Sequence, residues 1–226
     1  MSELSRRNFL IGSAAAGAIA ATTSVAAAEG EKKKRKVVGL ACSLRAGKST
    51  TQSLRVCLEA ARAVDPERIE IELIDLATMK IPAGPAAGLE LEPGERDDFP
   101  ALMPKLADPA VAAIVVATPV YFGNMSSLCK AFLERCIAFR KNGFQLSKKV
   151  GAVIAVGGNR NGGQELAIRA VQTCLISQDM IVVGEAQPAS HSGAAVWNSG
   201  EDFLADEINR ATLASVGKQV AQVAMQ

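Results

Sequence analysis

Lys36-Val37-Val38-Gly39-Leu40-Ala41-Cys42, followed directly by Ser43-Leu44-Arg45-Ala46-Gly47-Lys48-Ser49-Thr50, is the stretch on which the reading of the fold turns. Its first half is a short apolar run without polar alternation, as a parallel strand buried on both faces requires. Its second half is a loop of hydroxyl, glycine and cationic residues. A helical pattern comes next: across residues 51–64 the apolar positions Leu54, Cys57, Leu58 and Ala61 share one face, and Asp65-Pro66 ends it. Strand, loop and helix in this order open a βαβ unit.

The alternation repeats downstream. Residues 69–75 alternate apolar and charged, as a strand toward a sheet edge does, whereas 110–118 is the most apolar run in the chain and reads as a central strand. Further strands are predicted at 149–156 and 180–183, and helices at 97–107, 126–139, 164–178 and 201–223. Residues 76–96 hold Pro82, Gly84, Pro85, Gly88, Pro93 and Gly94, which permits only an irregular excursion. Five βα units leave one economical topology: an α/β fold with a doubly wound, five-stranded parallel sheet and helices on both faces. Ligands in such sheets bind outside the carboxyl ends of the strands, which singles out loops 43–50, 119–125, 157–163 and 184–200.

Composition agrees and excludes several classes. With 226 residues, 49% hydrophobic and 21% charged, the chain fits one globular domain, and an aromatic share of 4% means an aliphatic core. Five cysteines without a CxxC pair argue against a zinc module or a disulfide scaffold. Cys42, Cys57, Cys129, Cys136 and Cys174 fall on strands or helix faces as small buried hydrophobes. A formal charge of +2 gives no footprint for nucleic acid.

Loop 43–50 has the chemistry of an anion site. Hydroxyls, a glycine and the amides of the following helix converge where the helix dipole favours negative charge, and Arg45 or Lys48 can neutralise it. Ser49 or Thr50 is expected to cap that helix. Two phosphate readings compete. Gly47-Lys48-Ser49-Thr50 ends like a Walker A loop of a nucleotide hydrolase, yet Cys42 stands where its first glycine belongs, and only the weak strand ending at Asp75 could offer a magnesium-binding aspartate.

The other reading comes from a resemblance. Ser43, Arg45, Ser49 and Thr50 fall where the flavodoxin-like FMN reductases place a Ser-x-Arg followed by Ser/Asn-Thr, and the chain resembles the NADPH-dependent FMN reductase and iron-sulfur flavoprotein branch of the flavodoxin superfamily. Thr118-Pro119-Val120-Tyr121-Phe122-Gly123-Asn124 is similar to that family's Ser/Thr-Pro-x-Tyr-x-Gly segment, which lies along the flavin ring. Pro119 sets the chain direction there, Tyr121 or Phe122 offers an aromatic face, and Gly123 lets the backbone approach. Gly157-Gly158-Asn159-Arg160-Asn161-Gly162-Gly163-Gln164-Glu165 resembles the glycine loop that closes over the flavin's pyrimidine edge. The likeness spans residues 37–183, with the last helix fitting in type only.

The resemblance implies a flavodoxin-like domain over 37–226, bound FMN, NAD(P)H as donor and oxidoreductase activity toward a small acceptor such as a quinone or flavin. No catalytic side chain is required, because the flavin carries the chemistry. It implies a homodimer or homotetramer, with residues 76–96 as a candidate interface element, and leaves a non-enzymatic electron-transfer protein as the alternative. The excursion has no cysteine, so the cysteine cluster of the iron-sulfur branch is not expected. His191, the only histidine, is expected beyond the last strand near the carboxyl edge, as a substrate-binding or a plain surface residue.

The first 28 residues read as export. Ser5-Arg6-Arg7-Asn8-Phe9-Leu10, a weakly apolar Ala/Gly stretch and Ala26-Ala27-Ala28 resemble a twin-arginine signal peptide, and Gly12, Ser13, Gly17, Thr22, Thr23 and Ser24 interrupt a stretch already too short to span a membrane. Residues 29–36 form a basic linker. A periplasmic or otherwise exported location, reached by the twin-arginine pathway, follows from this reading.

Overall fold

The computed structural model describes residues 33–200 and 202–226. The signal peptide and the first half of the basic linker lie outside the described residues. Strand β1 (Arg35–Ala41) leads through the quoted loop into helix α1 (Ser49–Arg62), then β2 (Ile69–Asp75), α2 (Phe99–Ala107), β3 (Val111–Pro119), α3 (Ser127–Arg135), α4 (Ile137–Lys141), β4 (Val150–Gly157), α5 (Gln164–Ile176), β5 (Ile181–Val182), β6 (Ala194–Trp197) and α6 (Glu207–Ala224). The sheet runs β2-β1-β3-β4-β5, all parallel. This is the flavodoxin-like arrangement, with the alternating strand at an edge and the most apolar strand in the middle.

Period-two alternation divides the core into two layers. Val38, Leu40 and Val116 face Phe99, Phe132, Phe139 and Ile168 from the layer of α2 to α5. Val37, Ala41 and Val115 face Leu54 and Leu58 of α1 and Val216 and Val220 of α6. Excursion 76–98 contains only two short 3-10 turns, Leu76–Thr78 and Gly84–Ala87. Arg135 ties it down. Its guanidinium donates to both carboxylate oxygens of Asp97 at 3.1 and 2.7 Å and to the Pro82 carbonyl at 2.9 Å, and it lies 4.7 Å from the centre of the Phe99 ring.

Four expectations need correction. The fifth strand position is filled in two pieces: β5 pairs with the start of β4 and β6 with its end, separated by residues 183–193. Ala194–Trp197 is only four residues long, too short for its alternation to stand out from the loop predicted at 184–200. The helix predicted at 126–139 is two, α3 and α4, joined at Cys136, while one apolar face continues across both. The last helix starts at Glu207, where Asp206 accepts hydrogen bonds from the amides of Ile208 and Asn209 and so caps the end. The basic run does not end before the domain: Arg35 and Lys36 belong to β1, and Lys34 and Lys36 pair with Glu70 and Glu72 of β2 at 2.9 and 3.8 Å.

Among the described residues no helix is long and apolar enough to cross a membrane. Helices α1 and α6 meet so closely that a Cβ on Gly217 would stand 2.2 Å from the Cys57 carbonyl oxygen. Gly217→Ala is therefore expected to lower stability by about 1–3 kcal/mol as the helices are forced apart. A urea unfolding midpoint equal to that of the wild type would contradict this packing.

Candidate functional site

Parallel pairing brings the carboxyl ends of β1, β3 and β4 to one edge of the sheet, and their loops meet there. The first loop enters α1 at Lys48, which is extended and provides no side-chain cap. Ser49 and Thr50, expected to cap the helix, instead lie within its first turn, so their first-turn amides face out of the helix without a cap. Ser43 is buried, and its Oγ accepts from the Arg45 amide at 3.1 Å. Arg45, Lys48 and Ser49 line a cleft of about 400 Å³, completed by Gln52, Asn198, Gly200 and Phe203. Among the described residues no carboxylate lines it.

The second loop leaves β3 at Pro119 and is fastened to the sheet by Val120, whose amide donates to the Val156 carbonyl at 2.9 Å. Tyr121 and Asn124 then exchange two backbone hydrogen bonds, 2.9 and 3.0 Å, around Phe122 and Gly123, which have φ of +50° and +72°. A phenylalanine in the left-handed region carries local strain of the kind that collects at binding sites. Its side chain is fully exposed, and Tyr121 is partly so.

The third loop touches the second backbone to backbone. A Cβ at Gly163, which has φ of +93°, would stand 2.8 Å from the Gly123 Cα. Gln164 braces this loop from inside: its amide donates to the Asn159 carbonyl at 2.7 Å, and its Oε1 accepts from the Gly162 amide at 2.8 Å. Gly157 is buried beneath it, while Gly158 and Asn159 are exposed.

Side chains not singled out from sequence hold these loops in place. The Ser126 hydroxyl, fully buried, donates to the Cys42 carbonyl at 2.5 Å and accepts from the Cys129 amide at 3.0 Å. The Ser126 amide donates to Thr118 Oγ1 at 3.0 Å, so a single serine joins the ends of β1 and β3 to the start of α3. Its place as an N-cap ahead of an amphipathic run was a usable signal. Asn198 donates to Ser49 Oγ at 3.3 Å from beyond β6, a contact no local pattern announces. Asp75, the candidate magnesium ligand of the Walker reading, has both oxygens engaged by donors of the neighbouring loops.

His191 does not reach this edge. It lies in the 183–193 insertion, 3.1 Å from Glu185, whose carboxylate also accepts from Thr212 of α6 at 2.5 Å. Cys42 lies just below the first loop; its hydrogen bond with Cys129, followed by burial, pushes its thiol well above the ordinary range. Burial pushes the Cys57 thiol up to about 12. These thiols are uncharged near neutrality and pack as small hydrophobes.

The chain matches the family model described as NADPH-dependent FMN reductase over residues 35–195. An iron-sulfur flavoprotein of Methanocaldococcus jannaschii is 36% identical over 194 residues, covering 83% of this chain and 96% of the relative. An NAD(P)H dehydrogenase (quinone) of Paracoccus denitrificans is 42% identical over 72 residues, 32% of this chain and 34% of the relative. Among solved structures, an NADH:FMN oxidoreductase in its apo form superposes with a TM-score of 0.63 at 16% identity, covering 84% of this chain and 89% of that one. The chain belongs to the NADPH-dependent FMN reductase family. Membership makes it an FMN-dependent oxidoreductase with NAD(P)H as donor.

The residues fit FMN: an uncapped helix start beside two cations suits the phosphate, and glycines at 123 and 163 let the second and third loops close on each other without side chains between them. They do not fit an iron-sulfur group. Residues 76–96 contain no cysteine, and among the described residues no three His, Cys, Asp or Glu side chains are grouped to hold a metal. Gly163→Ala should weaken FMN binding about tenfold or more by driving the two loops apart. Fluorescence titration of the flavin-free variant checks this, and an unchanged dissociation constant would show that the loop contact does not shape the ring site.

Proposed function

We propose that the protein acts outside the cytoplasm as a homo-oligomeric reductase that transfers reducing equivalents from NAD(P)H to a small planar acceptor, a quinone or a free flavin. The observation that carries this reading is the convergence of three loops on one edge of the sheet, where Ser126 ties the ends of β1 and β3 together and the second and third loops meet backbone to backbone at Gly123 and Gly163. Bound FMN supplies the hydride and electron transfer. The chain supplies position and charge. Ser43, Ser49, Thr50 and the amides at the start of α1 hold the phosphate, with Arg45 and Lys48 neutralising it. Loops 119–124 and 157–163 confine the ring, and no role is assigned to His191, which precedes β6 and pairs with Glu185.

A quinone acceptor is supported by the Paracoccus denitrificans relative, an NAD(P)H dehydrogenase (quinone). Export is supported by the paired Arg6-Arg7 and the Ala26-Ala27-Ala28 ending. An oligomer is supported by Tyr121, Phe122 and Leu166, apolar side chains left exposed around the open edge.

Two measurements test the reading. The purified protein should be yellow with one FMN per chain, and NADPH should bleach it in stopped flow, with colour returning on addition of a soluble quinone. Bleaching without reoxidation by any quinone or flavin would remove the proposed acceptor class. A reporter active only after export should be delivered by residues 1–36, and a double Arg6→Lys, Arg7→Lys variant should retain the precursor in the cytoplasm. Equal delivery by both would count against the twin-arginine route.

A further inference from the structure

Asp75 stands at the carboxyl end of β2, opposite Ala41 in register, immediately beneath the phosphate loop. Its Oδ2 accepts from the Gly47 amide at 3.0 Å and from the Thr51 hydroxyl at 2.9 Å, while Oδ1 accepts from the Ala77 amide at 3.1 Å. One carboxylate oxygen thus anchors the last turn of the loop at Gly47 and the first turn of α1 at Thr51. Between these anchors lie Lys48, Ser49 and Thr50, three of the residues that hold the phosphate. Gly47, with φ of +68°, can turn its amide inward to the carboxylate while the chain bends out into the helix.

The charge of Asp75 makes the arrangement informative. Among the described residues Asp75 has no ion pair, and neither Arg45 nor Lys48 pairs with any carboxylate, so both cations are left for an incoming anion. A second negative charge beside a phosphate opposes binding through space. It favours binding only by holding donors in place before the phosphate arrives, which removes the ordering cost from the binding step.

We propose that Asp75 is a positioning residue for the FMN phosphate: it preorganises residues 47–51 and so determines how strongly the protein distinguishes FMN from riboflavin. The proposal rests on the reading of loop 43–50 as the phosphate site. Asparagine is a poor substitute, because if its oxygen takes Gly47 and Thr51, its NH₂ opposes the Ala77 amide. Alanine releases both anchors. Thr51→Val removes one anchor while nearly preserving shape.

Dissociation constants of FMN and of riboflavin, measured by fluorescence on flavin-free protein, test the proposal. Asp75→Ala should weaken FMN about tenfold or more, Asp75→Asn and Thr51→Val by smaller factors, and all three should leave riboflavin within about twofold. Equal weakening of both flavins, or unchanged FMN affinity in Asp75→Ala and Thr51→Val, would overturn it. Thr51→Val keeps the question open to measurement should Asp75→Ala fail to fold. The phosphate-loop reading has its own control: wild-type protein should prefer FMN, and Arg45→Ala should erode that preference about tenfold or more. Absence of that preference overturns both; an intact preference that responds to Arg45→Ala and not to Asp75→Ala or Thr51→Val overturns the positioning role alone.

Discussion

Parallel pairing of β1, β3 and β4 is the constraint from which the site follows. Each strand is almost wholly buried, so both of its faces must be covered, and each connection must cross over the sheet through a helix to start the next strand from the same side. Every carboxyl end then points to one edge. Three loops more than thirty residues apart in sequence are neighbours because the sheet permits no other route.

That edge gathers several features that cost stability. Of the helices that begin there, α3 is capped by Ser126, but α1 and α5 have no side-chain cap. Phe122 is held in the left-handed region with its ring in solvent, and Gly163 has no room for a side chain. Unpaired donors, backbone strain and bare backbone are destabilising features in an isolated chain, and they are the features that a phosphate and a planar ring can use. Beneath them the structure is stiff: Ser126, Gln164 and Asp75 each bind several backbone or side-chain groups and fix the loops from the protein side.

Much of this was legible along the chain. The uniform apolarity of 110–118 marked the central strand and the alternation of 69–75 the edge, because burial on two faces or one writes directly into residue choice. The three loops were recognisable because glycine, proline and hydroxyl residues cluster where backbone rather than side chains must meet a ligand. The broken fifth strand was not legible: β6 becomes a strand by pairing with β4, and its four residues carry too little pattern to announce it. His191 was misplaced for the same reason, since the insertion that interrupts this strand moves it away from the carboxyl edge.

By itself the sequence determined the order of the first four strands and the helices between them and the three loops that follow β1, β3 and β4, since periodicity and turn chemistry act over a few residues; the likeness of those loops to a known family supplied the flavodoxin-like class. Only the tertiary structure decided which residues shape those segments. Asp75 reaches Gly47 and Thr51 across more than twenty residues, Ser126 reaches Cys42 across 84, and Asn198 reaches Ser49 across 149. Such hydrogen bonds depend on where the sheet delivers each strand end, and that is a property of the folded chain as a whole.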